Sequence, residues 1–381
     1  MKAHYVVLTG GKNNAGDFLI KYRAKQLFAA LKEEREIIDM NAWEAFDTQK
    51  LQTVNASKAL ILLGGPSLQK NMRPDIYKMT DNLDDITVPI ISMGIGWKSM
   101  NGEWRDTYTY PLREESISLL ERIEQSGYLS SVRDYHTLNS IRFKGFDHFI
   151  MTGCPAYYDL ERLGESYQER RIQKVAFSLG VSFISSRSML QQMQEAILRC
   201  KTYFDKQAFT VVFHHSLDEE RFMATHGASQ KHNEKHRAFA SWLEAEGIDY
   251  KDVSGSAENL MDFYADIDLH IGYRVHAHIF MNSINRLSIL ISEDGRAKAV
   301  KDVIGGIVLD GFWSFKSSFS SKVWNRLLDH YDRYQENPYL AEEIEKILTD
   351  EKNTHFSRMK STRGRIDTNF QTMQQFIAQL P

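Results

Sequence analysis

Short apolar runs alternate with segments of helical period, and glycine or a charged residue closes most of the runs. Residues 5–8 lead to Gly10-Gly11, 59–63 to Gly64-Gly65-Pro66, and 88–93 to Gly94-Ile95-Gly96. Residues 129–132 lead to Arg133-Asp134, and 146–151 to Gly153-Cys154-Pro155. After a polar stretch at 161–173 the rhythm resumes with runs 174–179, 209–213, 267–271 and 287–291. Helical spacing marks 18–31, 111–123, 189–204, 239–246, 321–334, 340–348 and 370–380. Continuous apolar runs between helices belong to parallel sheets covered on both faces. The fold class expected is therefore α/β.

The chain has 381 residues, more than one hydrophobic core usually serves. The polar stretch sets a first domain over 1–160 and a second over 174–320, with C-terminal helices over 321–381 that can pack back on the first. In open α/β sheets the working residues gather beyond the carboxyl ends of the strands. Two such domains facing one another would frame a cleft.

A net charge of −3 supplies no basic field for nucleic acid. Two cysteines, Cys154 and Cys200, suit neither a disulfide scaffold nor a metal cluster. No run approaches the ~20 apolar residues of a membrane helix, and the first apolar run is too short for a signal peptide. A cytoplasmic protein is expected, able to meet a membrane-linked substrate from the aqueous side, at the inner face of the membrane.

Arg274-Val275-His276 follows the run 267–271. Read as an extended segment, it puts both side chains on one side. Arginine clamps a phosphate or carboxylate, and histidine moves a proton near neutral pH. Asn14-Ala15-Gly16-Asp17 lies between the first strand and the first helix, where backbone amides and the helix N-terminus favour an anion or a polar sugar. It fits neither dinucleotide nor phosphate-loop patterns. Asp17 and Asp134 can each cap a helix instead. Gly65, Gly94 and Gly96 mark repeated strand-end turns, and Arg133 closes another strand. Trp97, Trp104 and Tyr108, beside Asn101, Glu103 and Arg105, offer aromatic faces for a sugar ring, and Phe312-Trp313-Ser314-Phe315 is a second such segment. Asp266-Ile267-Asp268 resembles a metal-binding DxD, but three residues recur by chance, and the alternation of a buried strand here puts both aspartates on one edge of it. His214, His215, His226, His232 and His236 lie in a histidine-rich region, read as a mobile loop rather than a metal site.

Taken in order, these motifs resemble the polysaccharide pyruvyl transferase family over residues 5–300. The elements are Asn14-Ala15-Gly16-Asp17, Gly64-Gly65, Gly94-Ile95-Gly96, Ser131-Val132-Arg133-Asp134, Cys154-Pro155-Ala156 and Arg274-Val275-His276 with the downstream Lys298. Pro66, Cys154 and Asn285-Arg286-Leu287 depart from the family pattern. The resemblance implies two Rossmann-like domains in a GT-B-like arrangement. It also implies phosphoenolpyruvate as donor, a saccharide acceptor, free or lipid-linked, and a cyclic pyruvate ketal as product. His276 is then the acid, with His215 and His278 as alternatives. Arg133 and Arg274 clamp the donor. Asn14 and Asp17 orient or deprotonate an acceptor hydroxyl, and no metal or other cofactor is required. Two rival readings share the fold: a glycosyltransferase using a nucleotide-sugar, and a non-catalytic carbohydrate-binding protein. The oligomeric state is left open.

Overall fold

A computed structural model describes residues 3–225, 228–316, 320, 321, 323, 324 and 332–381. Among these, no helix is long and apolar enough to cross a membrane. The chain divides into two compact units. Unit 1 comprises Met1–Gly11, Asp17–Gly164 and Gly364–Pro381; unit 2 comprises Lys12–Gly16 and Glu165–Arg363. Residues Lys12–Gly16, the turn after the first strand and the start of the first helix, thus belong to unit 2. The stretch 161–173 carries neither helix nor strand.

In unit 1 the strands are β1 (His4–Thr9), β2 (Glu36–Asn41), β3 (Leu60–Leu63), β4 (Ile90–Met93), β5 (Ser130–Val132) and β6 (Phe149–Met151). Four run parallel in the order β2-β1-β3-β4, and β5-β6 form a parallel pair. A bridge between Ile95 and Val132 ties β5 to β4. The chain leaves β1 on one side for β2 and on the other for β3. The switch point is therefore at the carboxyl ends of β1 and β3, where Gly10-Gly11 and Gly64-Gly65 lie.

Unit 2 contains β7 (Lys174–Ser178), β8 (Ala208–Phe213), β9 (Asp249–Asp252), β10 (Leu269–Gly272), β11 (Leu287–Ser292) and β12 (Ile307–Asp310). They make a six-stranded sheet in the order β12-β11-β10-β7-β8-β9, with every pairing parallel. This is the doubly wound Rossmann order, with its switch point between β7 and β10. Phe177, Ile271, Ile289, Val211 and Phe213 are wholly buried in the core. A small antiparallel pair, β13 (Phe312–Phe315) and β14 (Tyr334–Glu336), follows. The helix expected over 321–334 falls largely outside the described residues, and Tyr334 lies in β14.

The helix Ser357–Ala378 closes the chain. Met359 packs in the core of unit 2. In unit 1, the Phe370 ring lies 5.4 Å from that of Tyr158. The fold class read from the sequence, α/β with two Rossmann-like units and C-terminal helices, is the one found.

Two local expectations are corrected. His232 and His236 are not on a loop; they sit one turn apart on the helix Gln230–Ala245, capped by Ser229. His226 lies outside the described residues. Asp266 and Asp268 do not share a strand edge. Asp266 caps the helix Ala257–Ala265 and pairs with Lys174, while Asp268 accepts the Gln173 and Lys174 amides at the amino end of β10. That is the end opposite Arg274.

Candidate functional site

The carboxyl edge of the unit 2 sheet gathers the chemistry-bearing residues. Gly272 ends β10 at φ +141°, where a Cβ would fall 2.3 Å from the Ser178 carbonyl oxygen. Only glycine lets the two strands approach this closely. Arg274 then takes an extended conformation as N-cap of the helix Val275–Ser283, and its carbonyl accepts the His278 N–H at 3.1 Å. Arg274 and His276 are thus a cap residue and a first-turn residue, not alternate positions of a strand. The reason is packing: all nine residues of this helix are buried, so its sequence shows no polar face and no helical period.

Arg274 is partly buried. Its Nε and Nη2 are shielded from solvent and have no hydrogen-bond partner, and among the described residues no carboxylate forms an ion pair with it. Burial lowers its pKa, an effect opposed by Glu293 and reinforced by Arg296. It nevertheless remains a cation at neutral pH. Arg296 is held by Asp294 in a forked pair at 2.7–3.0 Å. Glu293, 4% exposed, turns Oε2 onto the Val181 and Ser182 amides at 2.6 and 2.9 Å. Neither acid hydrogen-bonds Arg274 Nε or Nη2, although the charges of both favour its cationic form. Unpaired buried guanidinium donors at a helix N-terminus form a site for an oxyanion.

Around Arg274 stand four histidines from the end of β8 and the helix Gln230–Ala245. His214 Nε2 is 2.8 Å from the Tyr264 hydroxyl. The rings of His215, His232 and His236 lie 5.8–6.2 Å apart. Burial first, then the Arg274 charge, holds all four below the ordinary histidine range, His236 at about 3. Among the described residues no three potential ligand side chains converge as a metal site. His276 packs on Gly16: a Cβ there would lie 2.2 Å from His276 Nδ1. The Gly16 amide in turn donates to Asn14 Oδ1 at 3.2 Å. Asn14, Gly16, Arg274, His276 and His215 thus share unit 2. Lys298 lies on the helix Gly295–Ile304, partly buried.

In unit 1, Arg133 is 6% exposed and lies flat on Gly96, where a Cβ would meet its Nε at 2.0 Å. Arg133 Nε pairs with Asp134 Oδ2 at 3.5 Å. Asp134 Oδ1 caps the helix Tyr135–Arg142 through the Thr137 amide at 2.7 Å. Asp17 folds over Gly11 and stands 3.8 Å from a Cβ built on Gly65. The space a side chain would need at Gly94 is filled by the Pro155 ring. Trp97 is corrected: it is wholly buried, stacked on His136 at 5.0 Å, and offers no face to a sugar. Trp104, stacked on the other ring contact of His136 at 4.1 Å, is 45% exposed.

Sequence reasoning missed Glu293, although an acidic pair directly after the strand at 287–291 was a usable signal. It also missed His214 as distinct from His215, because only the fold shows which of two adjacent histidines meets Tyr264.

A family model described as polysaccharide pyruvyl transferase matches residues 14–280. No protein of curated function matches the sequence. Among solved structures, a putative UDP-N-acetylglucosamine 2-epimerase from Listeria monocytogenes is 10% identical. It covers 98% of this chain and 95% of its own, with a TM-score of 0.50. The UDP-GlcNAc 2-epimerase of Methanocaldococcus jannaschii is 11% identical over 92% of this chain and 100% of its own, TM-score 0.46. At such identities the Listeria likeness speaks for the fold alone. The family match spans more than half of the chain, so the chain belongs to the polysaccharide pyruvyl transferase family.

Proposed function

We propose that this polysaccharide pyruvyl transferase family member transfers pyruvyl from phosphoenolpyruvate to a sugar of a bacterial surface polysaccharide or its precursor. The observation that carries this reading is the pair of buried, unpartnered Arg274 donors at the carboxyl edge of the unit 2 sheet. An anionic donor satisfies them; a neutral sugar leaves the charge uncompensated.

The reaction needs the donor methylene carbon protonated to a methyl group, which places positive charge on the neighbouring carbon. One acceptor hydroxyl attacks that carbon and the bond to phosphate oxygen breaks. The second hydroxyl then closes the ketal. One hydroxyl proton replaces the proton delivered to carbon, and the other leaves with phosphate. In this scheme His276 gives the proton, and Gly16 fixes its ring by close packing. Arg274 holds the phosphate or carboxylate, with His215 beside it. Asn14 is the unit 2 candidate for orienting an acceptor hydroxyl. In unit 1, Asp17 and Arg133 are candidates for orienting an acceptor hydroxyl and holding an anion, and Lys298 on the unit 2 helix is a further anion-binding candidate.

Release of inorganic phosphate from phosphoenolpyruvate across a panel of saccharides, free and lipid-linked, tests the reading. Release with one acceptor and none without it is expected. Stabilisation by a nucleoside diphosphate, without any by phosphoenolpyruvate, would overturn the reading in favour of nucleotide-sugar chemistry. Within the active protein, His276→Ala is expected to lower kcat about 10²–10⁴-fold with donor binding retained. Full turnover in that variant removes His276 as the acid.

A further inference from the structure

Beneath the anion site lies a chain of polar side chains that the reaction does not use. Asn282, His278, Ser288, His270 and Ser178 are all wholly buried. Their contacts are short: His278 Nδ1 to Ser288 Oγ, Ser288 Oγ to His270 Nδ1, and His270 Nε2 to Ser178 Oγ, each 2.8 Å. Ser178 Oγ also accepts the Arg274 backbone N–H at 3.1 Å.

Donor bookkeeping gives this chain one direction. Asn282 Nδ2 donates to the His278 carbonyl at 2.8 Å, which fixes the amide orientation. The same nitrogen lies 3.2 Å from His278 Nε2, so that ring nitrogen is an acceptor and Nδ1 carries the proton. His278 Nδ1–H therefore donates to Ser288, whose hydroxyl donates to His270 Nδ1. His270 Nε2–H then donates to Ser178. At Ser178 the chain meets the Arg274 backbone N–H, so the serine oxygen accepts from two donors. The alternative in which both imidazoles donate to Ser288 leaves that buried hydroxyl proton without an acceptor, which favours the directed assignment.

We propose that this chain is a one-way hydrogen-bond relay, set in direction at Asn282, that positions the Arg274 backbone. Ser178, His270, Ser288 and His278 are then positioning residues of the anion site, remote from any substrate atom. Burial keeps both central histidines neutral, His278 at about 3 and His270 well below its ordinary range, as the relay requires. The functional part of the inference rests on the pyruvyl-transfer reading; the hydrogen-bond direction does not.

The test uses the full chain labelled with ¹⁵N-histidine and correlation spectra of the imidazole nitrogens. Signals are assigned by their loss in His270→Gln and His278→Gln. His278 is expected as the Nδ1–H tautomer and His270 as Nε2–H, both neutral over about pH 5–8. Either ring in the opposite tautomer, or charged in that range, overturns the relay. Ser288→Ala cuts the relay at its middle. In the folded variant, His270 should lose its single tautomer, and phosphate and phosphoenolpyruvate should bind about tenfold more weakly. Unchanged affinity in a folded Ser288→Ala protein overturns the positioning role. Failure of the wild-type protein to bind phosphoenolpyruvate refutes the donor assignment instead, with the tautomer result still deciding the relay.

Discussion

At the scale of single residues, the proposed anion site rests on two close approaches and one guanidinium with unpartnered donors. Arg274 has donors with no protein partner, so a bound oxyanion gains charge-assisted hydrogen bonds without displacing an existing ion pair. Arg274→Ala should weaken phosphoenolpyruvate binding by about 1.5–3 kcal/mol, roughly 10- to 150-fold, read by isothermal titration. Affinity within twofold of wild type would remove Arg274 from the clamp. Gly16→Ala tests the packing under His276. A methyl group 2.2 Å from the imidazole nitrogen must displace either the ring or the turn. We expect turnover to fall at least tenfold while the thermal midpoint moves only a few degrees, because Gly16 sits at an element end. The identity of these residue types was legible in the sequence; the contact between residues 16 and 276 was not. Nothing in two short motifs so far apart states that one has no side chain so that the other can lie on it.

At the scale of elements, the strands the sequence hid are the outer ones. β2, β9 and β12 each lie at an edge of their sheet and are only partly buried. An edge strand is covered less fully, so it needs no continuous apolar run. The interior strands β1, β3, β7, β8, β10 and β11 do need one, as does β4, whose free edge β5 adjoins, and they were readable for that reason. The helix Val275–Ser283 failed to read in the opposite way, since burial on all sides erased its period. Asp134 shows one residue serving an element and a neighbour together: one oxygen caps the helix Tyr135–Arg142 and the other faces Arg133. Asp134→Ala should cost ~1–2 kcal/mol from the cap, measured by urea unfolding, and should also release the Arg133 guanidinium. Asp134→Asn keeps the capping oxygen and should recover most of that loss. Equal losses in the two variants would show that the cap is not what matters.

At the scale of the whole molecule, buried neutral histidines set the response to pH. His214, His215, His232, His236, His270 and His278 all lie in unit 2 with folded pKa values below the ordinary one. Below the unfolded value of about 6.5 the unfolded chain takes up protons that the folded chain refuses. Stability is therefore full above that pH and declines as pH falls, by up to about 1.4 kcal/mol per pH unit for each such histidine. A thermal midpoint that stays level between pH 7.5 and about pH 5 would contradict this. His236→Phe, which removes one of the six, should flatten the decline. The sequence by itself determined the α/β class and, through its ordered motifs, the family. Strand burial and strand-end turns leave marks on every stretch of chain. Only the tertiary structure decided that Arg274 caps a helix, that Trp97 is core, and that Asn14 and Gly16 belong with His276. Those facts depend on contacts between segments far apart in the chain, which local composition does not encode.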